Sequence, residues 1–299
     1  MKMYRINLTV AVVSALALAA CTPKDSAIGF EQYSYADSTA HSFLNMEVEL
    51  PLAEGKASRA VRSVLIDQMD QSLSHADTYE EERAFPRFSG DEDDTDALMA
   101  YYEERTLRHI GELSQSDFED RERAIRGNAG LSPAEKSRLI AESPKWAYEY
   151  KLEKIGETDR YLVFNSQDFV YMGGAHGGIV GAGALTFDKA DGHQVTPVLR
   201  PDCVEDIQPL LVRGLLEYFK DEEVELSEEG LFEILMLEQE RQVPLPAWDP
   251  YPTADGLVFT YQQYEIASYA AGMPQFVVPF AEVREFLSAD AEKVFGLQQ

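Results

Sequence analysis

Between Phe43 and Leu50 the chain alternates, with Met46, Val48 and Leu50 set against Glu47 and Glu49. A period of two predicts a strand with one buried and one wet face. The preceding run holds Phe30, Tyr33 and Tyr35, and Asp37-Ser38-Thr39 supplies a turn, so Ile28–Leu50 reads as a β-hairpin. The period then changes. From Ala57 to His75, Val61, Val64, Leu65, Met69 and Leu73 recur at helical spacing, predicting an amphipathic helix that lies on the hairpin. Tyr79 to Asp96 is rich in acidic residues, Pro and Gly and predicts a loop. Beyond it, Ala97–Gly111 and Ser114–Arg126 are predicted as two helices. Ser132-Pro133-Ala134-Glu135 is a capping box that opens a third, ending near Pro144.

Strand periodicity returns at Trp146–Ile155, where Trp146, Tyr148, Tyr150 and Leu152 share a side. Further strands are expected at Tyr161–Tyr171 and Ala184–Phe187, and helices at Ile207–Phe219 and Leu231–Gln239. Pro244–Pro252 is expected to be loop. Leu257–Tyr261 and Phe276–Val278 follow as short strands, and Ala281–Leu287 as a last helix. The expectation is an α+β fold of two closely packed subdomains. Each is a mostly antiparallel sheet with helices on one face, residues 28–145 forming one and 146–299 the other, with a helical insertion at about 97–144.

The first residues change the cellular setting. Lys2 and Arg5 precede an apolar stretch, Leu8–Ala20, too short to span a bilayer permanently, which is the order of a secretory signal. Leu18-Ala19-Ala20-Cys21 resembles the lipobox of bacterial lipoproteins. That resemblance implies cleavage after residue 20, lipid (palmitate among its acyl chains) on Cys21, and a tether over 21–27. The protein is then expected to be anchored through its N-terminal lipid in a membrane of the cell envelope, on a periplasmic or cell-surface face. With Cys21 lipidated, only Cys203 remains, and among acidic neighbours it reads as a buried filler rather than a nucleophile.

Charge narrows the partners. The 299 residues carry 26 Lys and Arg against 53 Asp and Glu, a formal charge of -27, and loss of Lys2 and Arg5 deepens it. Nucleic acid is not expected as a partner, because phosphate contacts need clustered Lys and Arg. A field of this sign either draws in cationic molecules or serves solubility alone, and charge by itself does not choose between the two.

Candidate chemistry centres on Tyr171-Met172-Gly173-Gly174-Ala175-His176-Gly177-Gly178, where glycines permit positive φ and close approach. It matches neither a phosphate loop nor a dinucleotide fingerprint. His176 is read as a structural ring; the alternative is an envelope hydrolase or deacetylase accessory with His176 as its base. No metal-ligand spacing stands out, and neither metal nor cofactor is expected.

The same glycine stretch precedes Leu185-Thr186-Phe187-Asp188 with Asp191-Gly192, then Asp255-Gly256-Leu257-Val258-Phe259. After these come Tyr264-Glu265-Ile266-Ala267-Ser268-Tyr269-Ala270-Ala271-Gly272 and Val278-Pro279-Phe280. In this order they resemble the extracellular domain of the lysozyme-sensing anti-sigma factors, a domain that also accompanies a peptidoglycan deacetylase and occurs in Bacteroidetes lipoproteins. The resemblance covers about Trp146–Leu287. It implies a non-catalytic binding module for lysozyme, another cationic protein or a peptidoglycan-related ligand, with Tyr171, Gly173, Gly174, His176, Gly177, Tyr264, Glu265 and Tyr269 as candidate binding or structural positions. The anti-sigma members also carry a cytoplasmic sigma-binding segment and a membrane helix, which find no counterpart in this sequence.

Overall fold

The predicted hairpin is present: β1 (Phe30–Ser38) pairs antiparallel with β2 (Ser42–Pro51), Tyr33 opposite Val48 and Tyr35 opposite Met46. The computed structural model describes residues 28–75, 82–174, 177–220, 226–238 and 241–297, so the expected signal, Cys21 and tether lie outside the described residues. Leu44, Met46, Val48 and Leu50 are buried, as their alternation requires. Helix α1 (Lys56–Ser74) sets Val61, Leu65, Ile66, Met69 and Leu73 against them. Each such side chain contributes roughly 1.5–3 kcal/mol when removed from water.

Two helices were expected over 97–126; instead a single helix, α2 (Thr95–Gly127), runs 33 residues. Gly111, the expected break, lies within the helix, and its missing side chain lets Thr39 approach: a Cβ there would stand 2.9 Å from the Thr39 methyl. Leu98, Tyr102, Thr106, Ile110 and Ser114 form a stripe at spacing four that docks the first part of α2. Past Ser114 no α2 residue is buried, and ion pairs such as Arg121–Asp117 and Arg126–Glu122 line the helix instead. Helix α3 (Pro133–Ala141) opens with the expected reciprocal Ser132–Glu135 capping box and buries no residue.

The remaining strands of the large sheet are β3 (Trp146–Glu157), β4 (Tyr161–Tyr171) and β5 (Ile179–Asp188), in the spatial order β1-β2-β3-β4-β5. Strand β5 begins five residues before the expected Ala184, since Gly181 and Gly183 erase the alternation there. Strands β2 and β3 are parallel and all other neighbours antiparallel. A parallel pair needs a long crossover, and α1 to α3 provide it. The large sheet therefore hydrogen-bonds across residues 145 and 146, between β2 and β3.

The C-terminal part contributes α4 (Gln208–Tyr218), α5 (Glu228–Ile234), and a three-stranded antiparallel sheet of β6 (Tyr251–Pro252), β7 (Leu257–Thr260) and β8 (Gln275–Val278). Helices α6 (Phe280–Val283) and α7 (Ala289–Val294) follow. Three expectations are corrected. The helix expected to Gln239 stops at Ile234, where the amide of Met236 donates to Ile266 O at 2.7 Å and draws the chain out straight. The helix expected over 281–287 tightens into a 3-10 turn at Arg284–Phe286, and α7 then adds a further helix. Tyr251–Pro252, expected in a loop, pairs with β7.

Two hydrophobic cores result, and the architecture is α+β. Tyr148, Tyr150, Leu162, Phe164, Leu185 and Phe187 face α1 and α2. Tyr161, Val163 and Ala184, on the opposite face of β4 and β5, join the C-terminal core with Leu211, Leu215, Phe259, Phe276 and fully buried Cys203. No helix among the described residues is long and apolar enough to cross a membrane.

Candidate functional site

Because α1 and α2 pack on one face of the large sheet and the C-terminal core covers only part of the other, much of that second face is open. Pleating aligns on it Phe43, Glu47 and Glu49 of β2, Glu149, Lys151 and Glu153 of β3, and Phe169 and Tyr171 of β4. Phe43 is 37% exposed. Lys151 pairs with Glu153 at 2.9 Å, and Glu49 accepts from the Lys154 amide at 3.1 Å. Glu47 and Glu149 make no ion pair of 4 Å or less among the described residues. The result is a face of carboxylates interspersed with aromatic rings and a single lysine.

Tyr171 ends β4 at one margin of this face, where the glycine bend begins. Gly173 has φ +74° and Gly177 φ +82°, the left-handed region that glycine tolerates. The Arg121 guanidinium of α2 donates to Met172 O and Gly173 O, both at 3.2 Å. Arg121 Nε and Trp146 Nε1 both donate to Asp117, at 2.8 and 3.1 Å, so α2 fastens the bend to the start of β3. Gly174 is exposed, and Ala175 and His176 lie outside the described residues.

On the far side of the bend the Tyr269 hydroxyl donates to Gly178 O at 2.8 Å. A Cβ at Gly177 would stand 3.0 Å from that hydroxyl, so glycine leaves room for the ring. Tyr264, 5.9 Å from the Tyr269 ring between centroids, has φ +65° and is 53% exposed. Glu265 turns inward and accepts from the amides of Ala247 and Gln262, each at 2.7 Å; burial raises its pKa and those bonds oppose the rise. Of the sequence-predicted positions, Gly177, Tyr264 and Tyr269 thus come together, Tyr171 and Gly173 adjoin them, and Glu265 serves the loop.

Gln262 and Gln263 were not singled out from the sequence. Gln262 Oε1 accepts from the Ala182 amide at 2.9 Å and Nε2 donates to Ala182 O at 2.6 Å, while Gln263 Oε1 accepts from the Val180 amide at 2.9 Å. They satisfy the outer edge of β5, where unpaired strand groups would otherwise invite another chain. The adjacent glutamines before Tyr264 were the only signal, and glutamine pairs are too common to carry it.

Titratable side chains stand at two further places. Asp168 faces Gly181 on the helix-covered side, where burial raises its pKa to about 6. Asp188, Asp191 and His193 gather their ligand-type atoms within 4.8 Å. Hydrogen bonds account for that cluster. Asp188 accepts from the Ala190 amide at 2.7 Å, and the His193 ring bridges Asp191 at 2.6 Å and Asp290 of α7 at 2.9 Å. Those two carboxylates, Asp191 first, raise the His193 pKa, and the ring ties the β5 turn to α7 through its two hydrogen bonds.

Comparison with known proteins bears on the fold. Residues 200–281 match a family model described as "Protein of unknown function (DUF3298)". A crystal structure of a DUF3298 family member from Bacteroides fragilis NCTC 9343 superposes with a TM-score of 0.63 at 16% identity, covering 91% of this chain and 98% of that one. A DUF3298 family protein from Pseudomonas aeruginosa PAO1 superposes with a TM-score of 0.51 at 12% identity, covering 89% and 97%. At these identities the likeness is one of fold. No curated protein sequence matches the chain.

Proposed function

Taking the fold shared with DUF3298 structures as premise, we propose that the protein is a lipid-anchored, non-catalytic binding module of the cell envelope whose open sheet face receives a cationic protein. The lipobox-like Leu18-Ala19-Ala20-Cys21 supports the anchor. The carrying observation is the excess of carboxylates on that face: Glu47, Glu49, Glu149 and Glu153 stand beside Phe43 and Phe169 with Lys151 as the lone cation of the open β2–β3 surface. Aromatic rings supply contact area, and carboxylates supply steering and register. Net charge of -27 extends the same field over the molecule.

The resemblance to lysozyme-sensing domains names the first ligand to try, a basic lysozyme. The glycine bend, held by Arg121 and Tyr269, acts as scaffolding at the margin of that face. The chain from Thr22 onward retains both cores, whose described residues all lie from Ile28 on. Calorimetry of this soluble form with lysozyme should give binding that weakens from low to physiological salt, because the attraction between exposed charges is screened. Absence of binding heat at both salt concentrations removes the lysozyme reading.

A further inference from the structure

Between the open face of the large sheet and the three-stranded sheet lies a cleft of about 530 Å³. Its size falls in the usual small-molecule range of roughly 300–1,000 Å³. Asn165 and Gln167 of β4 form one wall, β7 and β8 with Thr260 and Gln275 the other, and Tyr251 and Trp248 close the β5 end. Trp248 reaches that position because Gly183 has no side chain: a Cβ there would stand 1.9 Å from the indole.

The lining carries a single charged side chain in a chain of charge -27. Asp249, its one carboxylate, is occupied by the Thr196 hydroxyl at 2.7 Å and the Val198 amide at 2.9 Å, and no Lys, Arg, His or Glu lines the cleft. Asn165, Gln167 and the Tyr251 hydroxyl have no hydrogen-bond partner among the described residues. Gln275 spends Nε2 on Thr260 at 2.9 Å and keeps Oε1. Three amide side chains and a phenol thus converge with donor and acceptor capacity unspent.

These groups sort the ligand classes. An anion finds no cation, and a cation finds only Asp249, whose two oxygens each already accept a hydrogen bond. A wholly apolar ligand would strand the amides, at about 1–3 kcal/mol each. A peptide strand would add along the β5 edge, which Gln262 and Gln263 already occupy. What remains is a neutral molecule dense in hydroxyls, each able to donate and accept, with apolar C–H faces to rest on Tyr251, Val258 and Met273. We infer that this cleft is a binding site for a short neutral saccharide. It adjoins the acidic face, since Asn165 and Gln167 stand opposite Glu153 and Lys151, but shares no lining residue with Glu47, Glu149 or Phe43, so its failure would leave the cationic-protein reading standing.

The test is a titration of the isotope-labelled chain from Thr22 with two disaccharides, diacetylchitobiose and cellobiose, following side-chain amide NMR signals. Saturable shifts at Asn165, Gln167 and Gln275 with either sugar are expected. Binding of diacetylchitobiose alone would assign acetamido recognition, and binding of both would assign recognition of ring hydroxyls. The double substitution Asn165→Ala with Gln167→Ala should weaken binding at least about tenfold. It should leave the melting temperature unchanged, since neither amide is bonded within the protein. Absence of shifts with both sugars up to about 10 mM, shifts confined to residues outside the cleft, or unaltered affinity in the double variant would overturn the inference.

Discussion

Glu103, on the docked part of α2, shows how a single buried group tunes the fold. Its Oε1 is buried without a hydrogen-bond partner, and burial raises its pKa from the ordinary 4.5 to about 7. Between those values the folded chain keeps a proton that the unfolded chain has released, so stability falls as pH rises from 4.5 to about 7 and stays lowered above. Replacing Glu103→Gln should flatten that slope and stabilise the protein by about 1 kcal/mol above neutrality, discounting for partial exposure. Urea unfolding of both proteins at acidic and mildly alkaline pH measures it; parallel pH profiles would contradict it. Nothing in the sequence distinguishes Glu103 from Glu104, because burial of one carboxylate depends on how α2 lies on β1 and β2. The wet Glu47 was legible, since it alternates with core residues along its own strand.

At the scale of elements, strands with strict alternation and helices with marked caps were readable, and β2, β3 and α3 lie close to where their residues place them. Failures came where a residue's reason is tertiary. Gly111 looks like a helix break and is instead a contact point for Thr39; Gly181 and Gly183 hide the start of β5 because Asp168 and Trp248 occupy the space their side chains would need. The pairing of Gln262 with Ala182 is of the same kind, joining residues 80 positions apart. Removing it by Gln262→Ala should leave the edge of β5 unsatisfied. Amide hydrogen exchange at Ala182 should then quicken by about tenfold, while the central strand β3 keeps its protection. Unchanged exchange at Ala182 would mean that the glutamine does not guard that edge.

For the molecule as a whole, the acidic excess was evident from composition, but its arrangement was not. Glu47 and Glu149 are far apart in sequence and share a face only because β2 and β3 pair in parallel after a crossover through three helices. Net charge gives the sign that the proposed partner would carry, while topology decides where it would dock. The glycine bend, the most conspicuous feature of the sequence, is positioned by Arg121 from one side and Tyr269 from the other, at the margin of the acidic face. The central claim is that this face binds a cationic protein. Its most direct test is calorimetry of lysozyme against the chain from Thr22 and a variant combining Glu47→Lys, Glu149→Lys and Glu153→Lys, at one low salt concentration. The account predicts binding to the unaltered chain and at least about a hundredfold weaker affinity for the variant, whose folding is checked by an unchanged circular dichroism spectrum. Equal affinity for the two chains would contradict it.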